Sequence, residues 1–207
     1  SDTKNWIYKG SCGRYTRAVT LPQIAQSARK EGIGRDIRIT VLDPENDILC
    51  TEYATYRRSL KSAGKAHEWS VNKVREEVIA SIFTFLKYKH DEPLLRIEIF
   101  LTSYFSAFRL DISDNYVIVT KEDSEASGLK ADKNTYFYDS YKDDVRLTER
   151  QSIKLIVVPS NIGTEKLTVN FLKDTILKAN VISEEKYDQL DAENILSAIN
   201  KPKDPYG

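Results

Sequence analysis

Between residues 70 and 89 the apolar positions fall three and four apart, with Val71, Val74, Val78, Ile79, Ile82, Phe83 and Leu86 forming one broad stripe. A stripe that wide predicts a helix buried in the core. The same spacing puts Leu21, Ile24, Ala25 and Ala28 on one face, predicting a helix over about 21–30 with Pro22 in its first turn and Gly32 and Gly34 ending it. Residues 45–61 predict a further helix, 62–69 a loop, and 167–177 and 191–199 two late helices. Extended pattern appears first at Trp6, Ile7 and Tyr8, then at Ile37, Ile39, Val41 and Leu42, where Asp43-Pro44 stops it. After Pro93 the period changes to two: Leu95, Ile97, Ile99 and Leu101 alternate with Arg96, Glu98 and Phe100. Asp114-Asn115 then punctuates two β-rich segments as a hairpin turn. Residues 122–134 are charged and polar and predict a solvated loop. Tyr136, Phe137 and Tyr138 restart an apolar patch, and 153–158 predicts a buried strand closed by Pro159.

Helices between the early strands and a hairpin later indicate an α/β fold, a mixed β-sheet flanked by helices with some strands parallel and the last ones antiparallel. Residues 1–160 are expected to form this unit, and 161–207 a C-terminal helical extension packed on it. In such sheets ligands collect at the carboxyl ends of the parallel strands. Here those ends are 10–17 and 43–47.

Composition narrows the function classes. Lysine plus arginine equals aspartate plus glutamate at 31 each, so no global field favours nucleic acid or an anionic membrane, and any anion site must be local. The apolar runs are too short to cross a bilayer and the first residues are polar, without the pattern of a secretory signal. Two cysteines, Cys12 and Cys50, without an export signal are expected to be free thiols in a reducing cytoplasm. The lack of methionine fits a processed chain or a domain cut from a longer protein.

Several groups carry candidate chemistry. The loop GSCGRYTR at 10–17 lies between a strand and a helix: its glycines let backbone N–H groups approach a phosphate, and Ser11, Arg14 and Arg17 supply a hydroxyl and two bidentate cations. It is neither a Walker loop nor a dinucleotide fingerprint, and a plain turn with solvated arginines explains it equally. Asp43, Glu45, Asp47 and Glu52 either cap a helix start or offer oxygens to a cation or proton. Arg57 and Arg58 on the following helix form a solvated face or touch a ligand. Cys12 lacks an adjacent base, since His67 and His90 stand in polar, exposed contexts, which argues against a thiol nucleophile. The same scattering argues against zinc. Arg109, Asp111 and Asp114 interrupt the apolar hairpin; either they face water while Phe108, Leu110 and Ile112 fill the core, or Arg109 and Asp111 line a site. Tyrosines beside arginines are what a nucleotide pocket would use.

The order of strand, glycine loop, helix, strand ending in Asp-Pro, helices and paired strands carrying RLDISDN resembles one half of the phospholipase D-like superfamily over about residues 6–120. With Asp114 at the aspartate of that family's His-x-Lys…Asp signature, Arg109 stands at the lysine and Ala107 at the histidine, and 120–123 lacks the downstream Gly-Ser. The resemblance implies a phospholipase D-like half that has lost its nucleophile, and a second half supplied by a homodimer. The expectation is therefore a non-catalytic sensory or regulatory domain, without cofactor or metal. It would bind a small phosphorylated or nucleotide-like ligand, or a protein partner, with flanking domains in a longer protein. Ser11, Arg14, Arg17 and Arg109 would hold the anion, with Asp43 and Asp114 orienting them and Asp111 a further ligand-binding candidate. The alternatives are a phosphodiesterase or nucleotide-processing hydrolase working through Asp43 or Asp114, and a structural interaction module.

Overall fold

A computed structural model describes residues 3–60, 69–123, 126–159, 162 and 165–206. The chain is α/β: a seven-stranded mixed sheet in the order β6-β5-β4-β1-β2-β3-β7, flanked by helices. The strands β1 (Asn5–Lys9), β2 (Arg35–Leu42) and β3 (Leu95–Thr102) run parallel at its centre. A meander of β4 (Phe108–Ile112), β5 (Tyr116–Lys121) and β6 (Leu129–Asp132) continues antiparallel on the β1 side, and β7 (Ile153–Lys154) closes the β3 side.

The connections are helical, as parallel pairing requires. A π-helical turn, Thr16–Thr20, runs directly into α1 (Leu21–Glu31), so the helix begins before Pro22 and ends on Gly32 in the left-handed conformation at φ 65°. The helices α2 (Asp47–Ser59) and α3 (Val71–Asp91) link β2 to β3, with Asn46 and Ser70 accepting the backbone N–H groups of Leu49 and Lys73 as N-caps. The expected loop at 62–68 lies outside the described residues. From Val74 to Leu86, α3 is buried nearly all round, as its wide stripe implies.

Period-two alternation decides what each sheet face meets. Trp6 and Tyr8 belong to the large apolar cluster under α1, α2 and α3, whereas Ile7 joins Leu110, Ile112, Val117 and Val119 in a smaller cluster on the other face. Tyr138 and Val145 of α4 (Tyr136–Arg150) cover that smaller cluster. Residues 122–134, expected as a solvated loop, supply the edge strand β6. At the opposite margin Ile153 and Lys154 pair with β3 and Leu155, buried in the core, donates its N–H to the Ile99 carbonyl, but Ile153, Ile156 and Val157 are exposed, so the expected buried strand over 153–158 is a short edge. The late helices α5 (Val169–Lys178), α6 (Glu184–Tyr187) and α7 (Ala192–Asn200) follow. Phe171, Leu172, Ile176 and Ile195 enter the same cluster as α3. Among the described residues no helix is long and apolar enough to cross a membrane.

The turn after β1 continues the ladder before it leaves the sheet, with Gly10 N–H donating to the Thr40 carbonyl and Leu42 N–H to that of Ser11. Gly13 then takes φ 70°, and a methyl group there would lie 3.1 Å from the Phe85 ring and 3.3 Å from Val41. Backbone and packing both demand glycine. Gly13→Ala is expected to cost about 1–3 kcal/mol, read from the midpoint of urea unfolding.

Candidate functional site

Beyond the carboxyl ends of β1 and β2 a small hollow gathers residues from six parts of the chain. Its floor is Tyr8, Cys12 and Gly13, and one wall is Tyr53 and Arg57, four residues apart on α2 and hence on one helix face. Trp69, just before α3, provides a platform: the Arg57 guanidinium lies 4.6 Å and that of Arg14 5.5 Å from its ring centre, while Tyr53 meets it edge-on. Arg109 enters from β4, Glu122 from the end of β5, and Tyr206 from the C-terminal segment.

Three guanidiniums thus line one hollow, each beside a carboxylate of its own: Arg14 lies 3.7 Å from Glu77, Arg109 2.9 Å from Asp111 and Arg57 3.4 Å from Glu122. Arg57 donates to the Glu122 carbonyl at 2.7 Å and lies 3.4 Å from its carboxylate, which also accepts from the Tyr53 hydroxyl. Burial, then the Cys12 and Glu122 charges, push the Tyr53 hydroxyl far above its ordinary range, so it stays protonated and donates. Arg109 is held by Asp111 at 2.9 Å and stacked by Tyr15 and Tyr206 at 5.3 and 5.7 Å. Burial works against the Arg109 charge and the adjacent Asp111 carboxylate outweighs it, raising its pKa well above the ordinary value. Burial raises the Asp111 carboxyl, with Arg109 opposing.

The hollow itself is small, about 40 Å³. Tyr15, Arg109 and Tyr206 also border a groove of about 780 Å³ between α1 and the β4–β5 hairpin. Arg109 and Asp111 face this side because Leu110 and Ile112 alternate onto the other sheet face. Thr20, Gln23 and Ser27 line the groove from the helical side, and Ser113 and Thr120 from the hairpin.

Of the residues expected from sequence, Arg14, Arg109 and Asp111 meet here. Ser11 lies beneath, buried, and contributes its carbonyl to the sheet. Arg17 turns into the core, where it pairs with Glu77 at 2.9 Å and donates to the Ser81 hydroxyl. Asp43 sits at the end of β2, away from the hollow, and accepts from Glu45 N–H. Its neighbours Glu45 and Asp47 hold Lys186 at 2.9 and 3.2 Å and so tie down the late helices. Asp114 stands at the opposite end of β1, where its carboxylate accepts from the Lys4 and Asn5 backbone and the Asn5 amide. Cys12 and Cys50 are both buried free thiols; burial drives Cys12 far above the ordinary thiol range and Cys50 up to about 11. His90 bonds Asp91 at the far end of α3, and His67 lies outside the described residues. No group of three or more His, Cys, Asp or Glu side chains placed to hold a metal ion occurs among the described residues.

Tyr53, Trp69, Glu122 and Tyr206 were not legible as site residues, and Arg57 was legible as a solvated cation or a ligand contact. The spacing of Tyr53 and Arg57 was the one available signal, because an aromatic and a cation four apart share a helix face. Comparisons with protein-family models, with curated proteins and with solved structures find no match to this chain.

Proposed function

We propose that this chain is a non-catalytic sensory or regulatory domain that binds a small phosphorylated or nucleotide-like ligand in the hollow of Arg14, Arg57 and Arg109. The observation that carries this is the convergence of three guanidiniums from separate segments on one concave site beside an aromatic-walled groove. Guanidiniums offer paired donors to phosphate, and tyrosine and tryptophan faces suit a planar base. The phospholipase D-like resemblance belongs to the same proposal. Ala107 offers no nucleophile at the histidine position, while Arg109 retains a cation at the lysine position and faces the hollow. A hydrolase working through Asp114 or Asp43 is the weaker reading, because Asp114 spends its carboxylate on the start of β1 and Asp43 on the turn into α2. Two buried free thiols suit a cytoplasmic location. A homodimer and flanking domains also belong to the proposal, and the exposed Ile153, Ile156 and Val157 at the β7 margin give a dimer an apolar surface.

Thermal melting of the full chain with AMP, ribose 5-phosphate or inorganic phosphate tests the site. A ligand at a hundred times its Kd contributes about 2.7 kcal/mol, worth roughly 5–10 °C in a domain of this size. The expected rise disappears in Arg14→Ala and Arg109→Ala. If none of the three anions moves the melting temperature, the proposal is wrong. Sedimentation equilibrium of the same sample tests the dimer, and a monomer at every concentration removes it.

A further inference from the structure

We infer that Glu122 and Tyr206 are built-in stand-ins for the two halves of the ligand, and that the ligand is a nucleoside monophosphate whose phosphate displaces the Glu122 carboxylate and whose base displaces the Tyr206 ring. The inference rests on the anion-site reading above and sharpens it.

Glu122 is where a phosphate would be expected. Its carboxylate accepts from the Tyr53 hydroxyl, lies 3.4 Å from the Arg57 guanidinium and is mostly buried in a hollow that Arg14 and Arg109 also line. With Glu122 in place, the remaining space of about 40 Å³ accepts a water or two but not a phosphate ester. Of the three guanidiniums, Glu122 pairs directly with Arg57 alone. Arg14 is 3.7 Å from Glu77 and Arg109 is paired with Asp111, yet Arg57 keeps a buried Nε–H without a partner. A phosphomonoester brings nearly two charges and three acceptor oxygens at neutral pH, so it satisfies this set better than Glu122 does.

Tyr206 is where a base would be expected. Its ring packs against Tyr15 with centroids 5.7 Å apart and under the Arg109 guanidinium, and its hydroxyl meets Arg109 at 3.4 Å. With Tyr15 and Arg109 it borders both the hollow and the groove, and of the three it alone comes from the chain's C-terminal segment. On this inference, moving that ring aside opens the anion hollow toward a groove of about 780 Å³. Gln23, Ser27, Asp111 and Thr120 give that space donors and acceptors for ribose hydroxyls and base edges. A ligand must therefore evict two internal groups, which lowers its apparent affinity and makes those groups points of control.

Calorimetric titration of the full chain with AMP and, separately, inorganic phosphate provides the test. Glu122→Gln is expected to tighten both by about tenfold, since a neutral amide competes less for the guanidiniums. Tyr206→Ala is expected to tighten AMP several-fold and leave inorganic phosphate unchanged. Should Glu122→Gln fail to fold, Tyr53→Phe removes the hydroxyl that holds Glu122 and is expected to shift both ligands in the same direction by about threefold. If AMP and phosphate bind the unaltered chain but no variant tightens them, the stand-in idea falls and the anion site remains. If Tyr206→Ala leaves AMP unchanged while Glu122→Gln tightens it, the base half is overturned. Absence of binding to every variant removes the anion site together with this inference.

Discussion

Replacing Glu77 by alanine is expected to destabilise the fold by about 3–5 kcal/mol, because it leaves the Arg17 guanidinium charged and unpaired in the core. The two side chains are 7 % and 3 % exposed, joined at 2.9 Å, and Arg17 also donates to the Glu77 carbonyl and to Ser81. The pair fastens the π-helical turn before α1 onto the middle of α3, so its loss loosens the loop that carries Arg14. A double replacement of Glu77 and Arg17 by leucine is expected to recover most of the loss, since two apolar residues leave no orphaned charge. Chemical denaturation of the single and double variants checks this; a single variant as stable as the parent would show that Arg17 finds another partner.

Acid titration gives the pair a second signature. Burial alone would raise the Glu77 carboxyl, but Arg17, Arg14 and Lys73 outweigh burial and hold it below its ordinary 4.5. A depressed carboxyl contributes stability that is complete above its unfolded pKa and is lost as pH falls through the folded one. The stability gap between the parent and Glu77→Gln is therefore expected to persist at neutral pH and to close below about pH 4.5.

Arg17 also marks the limit of what the sequence could tell. Arg14 and Arg17 stand three apart at the head of the same helical segment, identical in type and context; one turns to the hollow and the other to α3. Glu77, which pairs with Arg17 at 2.9 Å and lies 3.7 Å from Arg14, sits beside the broad apolar stripe of α3, where nothing in the local pattern distinguishes a buried acid from a solvated one. The parallel core was legible because β2 and β3 set Ile37, Ile39 and Val41, and Leu95, Ile97, Ile99 and Leu101, on one face, and α3 carries a broad apolar stripe to meet them. The helix α4 was not, since its buried residues, Tyr138, Val145 and Thr148, are too few for a clear period. Alternation around Arg109 was compatible with a wet face or a site. Only the packing of Leu110 and Ile112 against the α4 side assigns Arg109 and Asp111 to the groove. Glu122 and Tyr206 were hidden differently: each lies in a polar stretch, and its role comes from a long-range meeting with α2 or Tyr15 that has no sequence period.

Trp69→Ala is expected to cost about 3–5 kcal/mol and to weaken anion binding at the same time, because the indole is both core and platform. It is 6 % exposed, meets Tyr53 edge-on at 5.9 Å, and carries the guanidiniums of Arg57 and Arg14 over its ring. Truncation opens a cavity beside Tyr53 and removes two cation–π contacts, each worth roughly 0.5–2 kcal/mol. For about 200 residues the combined loss corresponds to a fall in melting temperature of roughly 6–20 °C. Trp69→Phe separates the two roles: a phenyl ring refills much of the space and restores most of the melting temperature, but its smaller face holds Arg14 and Arg57 less well. That variant is expected to fold normally and still bind inorganic phosphate several-fold more weakly, while Arg109, fixed by Asp111 and Tyr15, keeps its place. Equal affinity in Trp69→Phe and the parent would mean that Arg14 and Arg57 are positioned by Glu77 and Glu122 alone, with the indole serving only as core.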